Sequence, residues 1–194
     1  MTKKKVGLIL VVTAIALPLI FLFAYEPSFT AKGAVEKHFE YENDLQYLNK
    51  IEAGNFQAWL FNDEEEGEYK TFLVKKDGLF YESPLSTYIE HQTDASLETL
   101  SSIDYTDETD ALTLLVVQSM DPDVDKIEAG EETNRKENEV EEGEISVFSW
   151  DRSISFDEMN AAAYDGQGEV LYYFGLEKDE TTNVDNLGWF EEEK

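Results

Sequence analysis

Carboxylates stand at the first, third, fifth and twelfth positions of the stretch DPDVDKIEAGEE, as Asp121, Asp123, Asp125 and Glu132. Calcium loops take oxygen ligands at those positions, with a bidentate carboxylate at the twelfth and a main-chain carbonyl at the seventh, here Ile127. The same loops need glycine at the sixth position for a sharp turn, and Lys126 stands there instead. A lysine in left-handed backbone costs on the order of 1–2 kcal/mol, and its ammonium repels the cation. The flanks also depart from a helix-loop-helix site. LTLLVVQS before the loop reads as a strand, and TNRKENEVEEGE after it has no apolar face for a second helix. The four acids are therefore candidate ligands of a weak calcium site in an acidic turn, and calcium is the one cofactor the sequence suggests.

Other chemistry has little to rest on. The only two histidines are His38, next to Phe39 on a predicted helix, and His91, in an irregular stretch. Neither lies in an H-E-x-x-H pattern, and the sequence has no G-x-S-x-G elbow, phosphate loop or dinucleotide fingerprint. A glycosidase needs two carboxylates at a fixed separation, but 43 acidic residues single out no pair. The absence of cysteine excludes disulfides, thiol catalysis, cysteine-based metal sites and a lipoprotein anchor. Two aromatic groups stand out: Trp59, Phe61, Phe72, Phe80 and Tyr81, then Phe148, Trp150, Tyr164, Tyr172, Tyr173 and Phe174. At period two these read as core and cross-strand pairs, with an exposed subset able to bind sugar or peptide.

Charge narrows the partners. From Glu26 to Lys194 the chain carries 12 basic and 43 acidic residues, a formal charge of −31. Such a surface repels nucleic acid and anionic lipid and favours cations or basic partners. The first 25 residues are the opposite: Lys3, Lys4 and Lys5 precede the uncharged run VGLILVVTAIALPLIFLFAY, Val6 to Tyr25. Twenty residues at helical rise span about 30 Å, the thickness of a bilayer core. The basic flank predicts an N-terminus inside and the remainder outside. Pro18 is compatible with such a span. The competing reading is a cleaved signal peptide and a secreted protein. Leu22-Phe23-Ala24 fits a small-x-small cleavage site poorly, and Ala31-Lys32-Gly33 lies well beyond the apolar run.

Patterns in the exterior part predict an α+β, mostly β fold. Thr30 caps a short helix over AKGAVEKHFEYENDL, with Val35, Phe39 and Leu45 on one face. NFQAWLFN alternates Phe56, Ala58 and Leu60 against Gln57, Trp59 and Phe61, and YKTFLVKK then turns at Lys76-Asp77-Gly78 into LFYES. Ser83 to Asp110 reads as a linker with one short element. Leu112 to Val117, apolar but for Thr113, reads as a strand covered on both faces. ISVFSW, and two strands joined at Asp165–Gly168, complete a small antiparallel sandwich-like half. Glu131 to Glu144, with seven glutamates in fourteen residues, reads as an exposed mobile loop. KIEAG occurs at Lys50–Gly54 and at Lys126–Gly130, but the flanks do not align and the match reads as coincidence. The predicted organisation is an anchor or signal segment over 1–25, a helix plus β-meander over 26–105, and an antiparallel β half over 106–194 containing the acidic loop 131–144.

This layout, MTKKK before a long apolar run and then an acidic, cysteine-free domain ending in AAAYDGQGEVLYYF, resembles small membrane-anchored extracytoplasmic proteins of unknown function from Gram-positive bacteria. The resemblance implies a location, with no activity and no functional residue. The sequence thus predicts a cell-surface protein held by residues 6–25, acting as a non-catalytic interaction or accessory module with a protein partner. A weak calcium-binding surface protein is the alternative, and an extracellular hydrolase the third reading.

Overall fold

The computed structural model describes residues 27–92, 94–156, 158–176 and 187–192. The apolar run from Val6 to Tyr25 lies outside them, and among the described residues no helix is long and apolar enough to cross a membrane. The described part is mostly β: one helix, α1 (Ala31–Glu36), and twelve strands in three antiparallel sheets. The first sheet is a meander of β1 (Gln46–Ala53), β2 (Phe56–Asp63), β3 (Glu68–Asp77) and β4 (Phe80–Glu90) in chain order. The second joins β5 (Leu97–Thr106), β6 (Ala111–Ser119) and β9 (Ile145–Trp150), with β6 central. The third runs β12 (Gly188–Glu191), β11 (Val170–Gly175), β10 (Ala162–Tyr164), β7 (Lys126–Ala129) and β8 (Lys136–Glu139).

Period two explains how the sheets stack. On β6, Leu112, Leu114 and Val116 join Leu100 and Ile103 against Ile51, Phe56, Leu60 and Leu73 of the meander. Leu115 and Val117 point the other way, with Phe148 and Trp150, into a second core containing Ile127, Ala129, Ala163 and Phe174. The three-stranded sheet is thus the middle layer, as the largely apolar run of β6 predicts. A third, smaller core lies on the outer face of the meander, where Ala34 and Val35 of α1 cover Phe61, Phe72 and Val74. The alternation read in β2 holds, but its two faces are both apolar because α1 covers one of them.

Three expectations are corrected. Ser83 to Asp110 is no linker: most of β4 and all of β5 lie in it. Pro84 disguises β4, since Ser83 and Pro84 together face Val74 at a register shift. Proline is tolerated there because β4 is an edge strand and a bulge needs no ladder donor. The acidic segment 131–144 contains β8, which pairs from Lys126↔Glu139 to Ala129↔Lys136. Val140 is buried, and the Trp150 indole N–H donates to Asn134 O at 3.1 Å, so backbone pairing and two anchors order a segment poor in apolar side chains. Finally, α1 is capped by Thr30 as expected but stops at Glu36. Residue 105 lies within β5, which forms one ladder with β6 from Leu97↔Ser119 to Thr106↔Ala111.

The two KIEAG copies fold alike. Ile51 and Ala53 are buried against one face of the middle sheet, and Ile127 and Ala129 against the other. In each copy the lysine ammonium meets the glutamate two residues on at 2.6 Å, and the glycine has positive φ (58° at Gly54, 113° at Gly130). The chain then diverges, through a two-residue turn to β2 and a longer loop to β8.

Two-sided burial of β6 has a direct consequence. Leu114 and Leu115, both fully buried on opposite faces, are each expected to cost about 3 kcal/mol when replaced by alanine. Urea denaturation measures both; a cost below about 1 kcal/mol at either position would mean that its layer is not packed on the middle sheet.

Candidate functional site

The acidic stretch is a turn feeding β7. Asp121 Oδ1 accepts the N–H of Asp123 at 2.9 Å, and its Oδ2 accepts the Tyr172 hydroxyl at 2.6 Å. Asp123 is exposed, and the carboxylate of Asp125 faces the Cα of Gly166. Lys126, at the position a calcium loop gives to glycine, opens β7 and pairs with Glu128. Four residues of strand carry the chain roughly 13 Å away at about 3.3 Å per residue. Exposed Glu132 lies past that strand, in the connection to β8. Among the described residues no group of three or more histidine, aspartate or glutamate side chains could hold a metal ion. Of the acids in the sequence pattern, Asp121 serves the turn and a tyrosine, and the strand β7 separates Glu132 from the three aspartates.

Both histidines pack against aromatic rings. His38 lies 4.7 Å from Phe39 and edge-on to Phe72 at 5.2 Å, and burial pushes its imidazole below the ordinary value. His91 is tilted over Tyr69 at 4.4 Å. Tyr69 donates to Glu98 Oε2 at 3.0 Å, and Glu98 Oε1 accepts the N–H of Gln92 at 3.2 Å. This tyrosine–carboxylate pair joins β3 to β5, and burial with the Glu98 charge raises the phenol to about 12. Lys75 forms a second bridge between these sheets, meeting Asp107 at 2.5 Å and Asp110 at 2.8 Å across the β5–β6 turn. Hydrogen bonds from Lys75 hold both carboxyls below the usual carboxylate range.

The surface feature most like a binding site is an aromatic groove beside α1. Because the helix ends at Glu36, it covers only part of the meander's outer face. From Lys37 the chain folds back, setting Tyr41 edge-on to Phe61 and Phe72 at 5.9 Å. Beyond the helix, Tyr41, Leu45, Tyr47, Trp59 and Phe61 line a cleft of about 280 Å³, with Val35 in its wall and the Lys32–Glu36 ion pair on its rim. Tyr47 is 52% exposed, and its ring lies 5.9 Å from Trp59 and 5.8 Å from Phe61. Leu48 follows at a β-bulge, where the register of β1 and β2 shifts. The expected helical face of Val35, Phe39 and Leu45 does not form: Val35 is buried, Leu45 lines the groove and Phe39 is 87% exposed. Sequence reading placed Trp59 and Phe61 together but missed Tyr41 and Tyr47, whose juxtaposition depends on where the helix stops.

No known family model, curated protein or solved structure matches the chain. Its functional reading therefore rests on its own residues. Two outcomes follow from this geometry. Millimolar calcium is expected to leave the melting temperature unchanged; a rise abolished by Asp123→Asn with Asp125→Asn would restore a cation site. Tyr69 has a raised folded-state pKa, so its contribution is fully present below pH 10 and is lost as pH climbs towards about 12. The stability difference between the wild type and Tyr69→Phe, followed by urea denaturation, should shrink over that interval. Tyr105 and Tyr172 also shift upward, so the variant difference isolates Tyr69. A difference constant from pH 9 to 12 would place the Tyr69 phenol in water.

Proposed function

We propose that the protein is a single-pass membrane protein, anchored by residues 6–25 with its N-terminus inside. Its β domain lies outside as a non-catalytic interaction or accessory module. The observation that carries this reading is the groove of Tyr41, Leu45, Tyr47, Trp59 and Phe61. It is small for a drug-sized ligand but suits one large side chain of a protein partner, and exposed aromatic side chains are the usual energetic centre of such contacts. Charge specifies the partner further. Glu42 and Asp44 are exposed between Tyr41 and Leu45, and residues 26–194 carry a formal charge of −31, from 12 basic and 43 acidic residues. A segment with an aromatic or aliphatic anchor flanked by basic residues is complementary to both features. The apolar run before the domain supports the location.

A photo-crosslinking residue in place of Tyr47, compared with one in place of Tyr88, tests the reading in the membranes of the source cell. Tyr88 is 69% exposed on β4, the opposite edge of the same sheet. The expected result is one protein adduct at position 47 that weakens with salt. Trp59→Ala should abolish it, since losing an aromatic anchor costs about 2 kcal/mol or roughly 30-fold in affinity. No adduct at 47, or the same adducts from 88, would remove the groove as the docking surface.

A further inference from the structure

We propose that the β3–β4 tip, together with Phe29, is a second membrane contact. It seats the domain on the headgroup–acyl boundary of the bilayer that holds its anchor. This inference rests on the anchored reading above and adds an orientation to it. Leu79 and Phe29 are among the most exposed large apolar side chains of the described residues, at 81% and 61%. They belong to one end of the meander. Phe29 meets Phe80 edge-on at 5.2 Å, and Leu79 and Phe80 are consecutive. The arrangement is fixed by the Ser28↔Tyr81 bridge, in which the Tyr81 N–H donates to Ser28 O at 2.8 Å. Gly78, at φ +57°, turns the chain so that Leu79 stands at the apex, and nothing lies within 4 Å of where its Cβ would be.

Chain continuity names the occupant. The uncharged run ends at Tyr25, and only Glu26, Pro27 and Ser28 separate it from Phe29. The four steps from Tyr25 to Phe29 reach at most about 14 Å when fully extended, so a span ending at Tyr25 keeps Phe29, and the tip it packs on, close to the surface. Apolar side chains in this position enter the boundary about 5–10 Å deep. The charges nearby are of both signs. Exposed Lys76 and Lys37 flank the tip, and Asp77 and Glu82 line the cleft shared by Pro27 and Phe80. With the strongly acidic domain behind them, zwitterionic lipid is the matching surface.

The absence of native cysteine permits a clean test. Leu79→Cys and Met120→Cys are labelled separately with an environment-sensitive fluorophore in the full 194-residue chain, reconstituted into phosphatidylcholine vesicles. Met120 is 48% exposed and follows β6, outside the meander. The expected result is blue-shifted emission at position 79, lost to nitroxide-labelled lipid, with neither effect at position 120. If the chain floats with the vesicles and both labels stay water-like, the tip contact is overturned and the anchor stands. If the label at 79 is shielded without nitroxide quenching, and only at high protein concentration, a second copy covers the tip and the proposal falls. If the chain fails to float with the vesicles, the anchored reading and this inference fall together.

Discussion

The β6 stretch Leu112–Val117, apolar but for Thr113, must hide both of its faces, and the architecture follows from that demand. A strand pleats its side chains alternately to opposite sides, so Leu112, Leu114 and Val116 need one cover, and Leu115 and Val117 need another. No single sheet can supply both. The meander supplies the first and the β7–β8–β10–β11–β12 sheet the second, which places the three-stranded sheet in the middle. Thr113, between these apolar residues, is fully buried without penalty because its hydroxyl donates to Arg152 O and accepts the N–H of Ile154, both at 2.8 Å. That pair of bonds also ties the chain leaving β9 back to the sheet.

The acidic residues gain a structural meaning that their abundance conceals. Asp63 accepts the N–H groups of Glu65 and Glu66, Asp107 those of Thr109 and Asp110, Asp121 that of Asp123, and Asp165 those of Gln167 and Glu169. Each carboxylate closes a turn by accepting main-chain N–H groups a few residues on. In the acidic stretch before β7 that cap is made by Asp121. Lys70 and Lys75 serve two of these caps, at Asp63 and Asp107, and use scarce positive charge to hold the hairpin ends.

The outer face of the meander concentrates the features available for recognition. A helix of only six residues covers its centre. The uncovered aromatic side chains form the groove near β1, while the end where the chain enters the domain presents Phe29 and Leu79. In the functional reading, the groove faces a partner and the tip faces lipid, and one short helix separates the two.

Patterns held within a few residues were legible in the sequence. The alternation in β2, the central burial of β6, the strand Ile145–Trp150, the Thr30 cap and the turn at Asp165–Gly168 all depend on local periodicity or turn chemistry. Long-range pairing was not legible. Pro84 looks like a break until an edge position admits it as a bulge, and Lys136–Glu139 is a strand only because β7 offers it a ladder. The same holds for the candidate sites. Asp121 is a possible ligand in the sequence and a partner of Tyr172 in the fold, 51 residues away. By itself, then, the sequence determined an acidic, mostly β domain, its main strands and the placement of many turns, because side-chain alternation and backbone preference are local. The tertiary structure decided which strands share a sheet, where the helix ends and which aromatic side chains meet in a groove, because those depend on contacts between residues far apart in the chain.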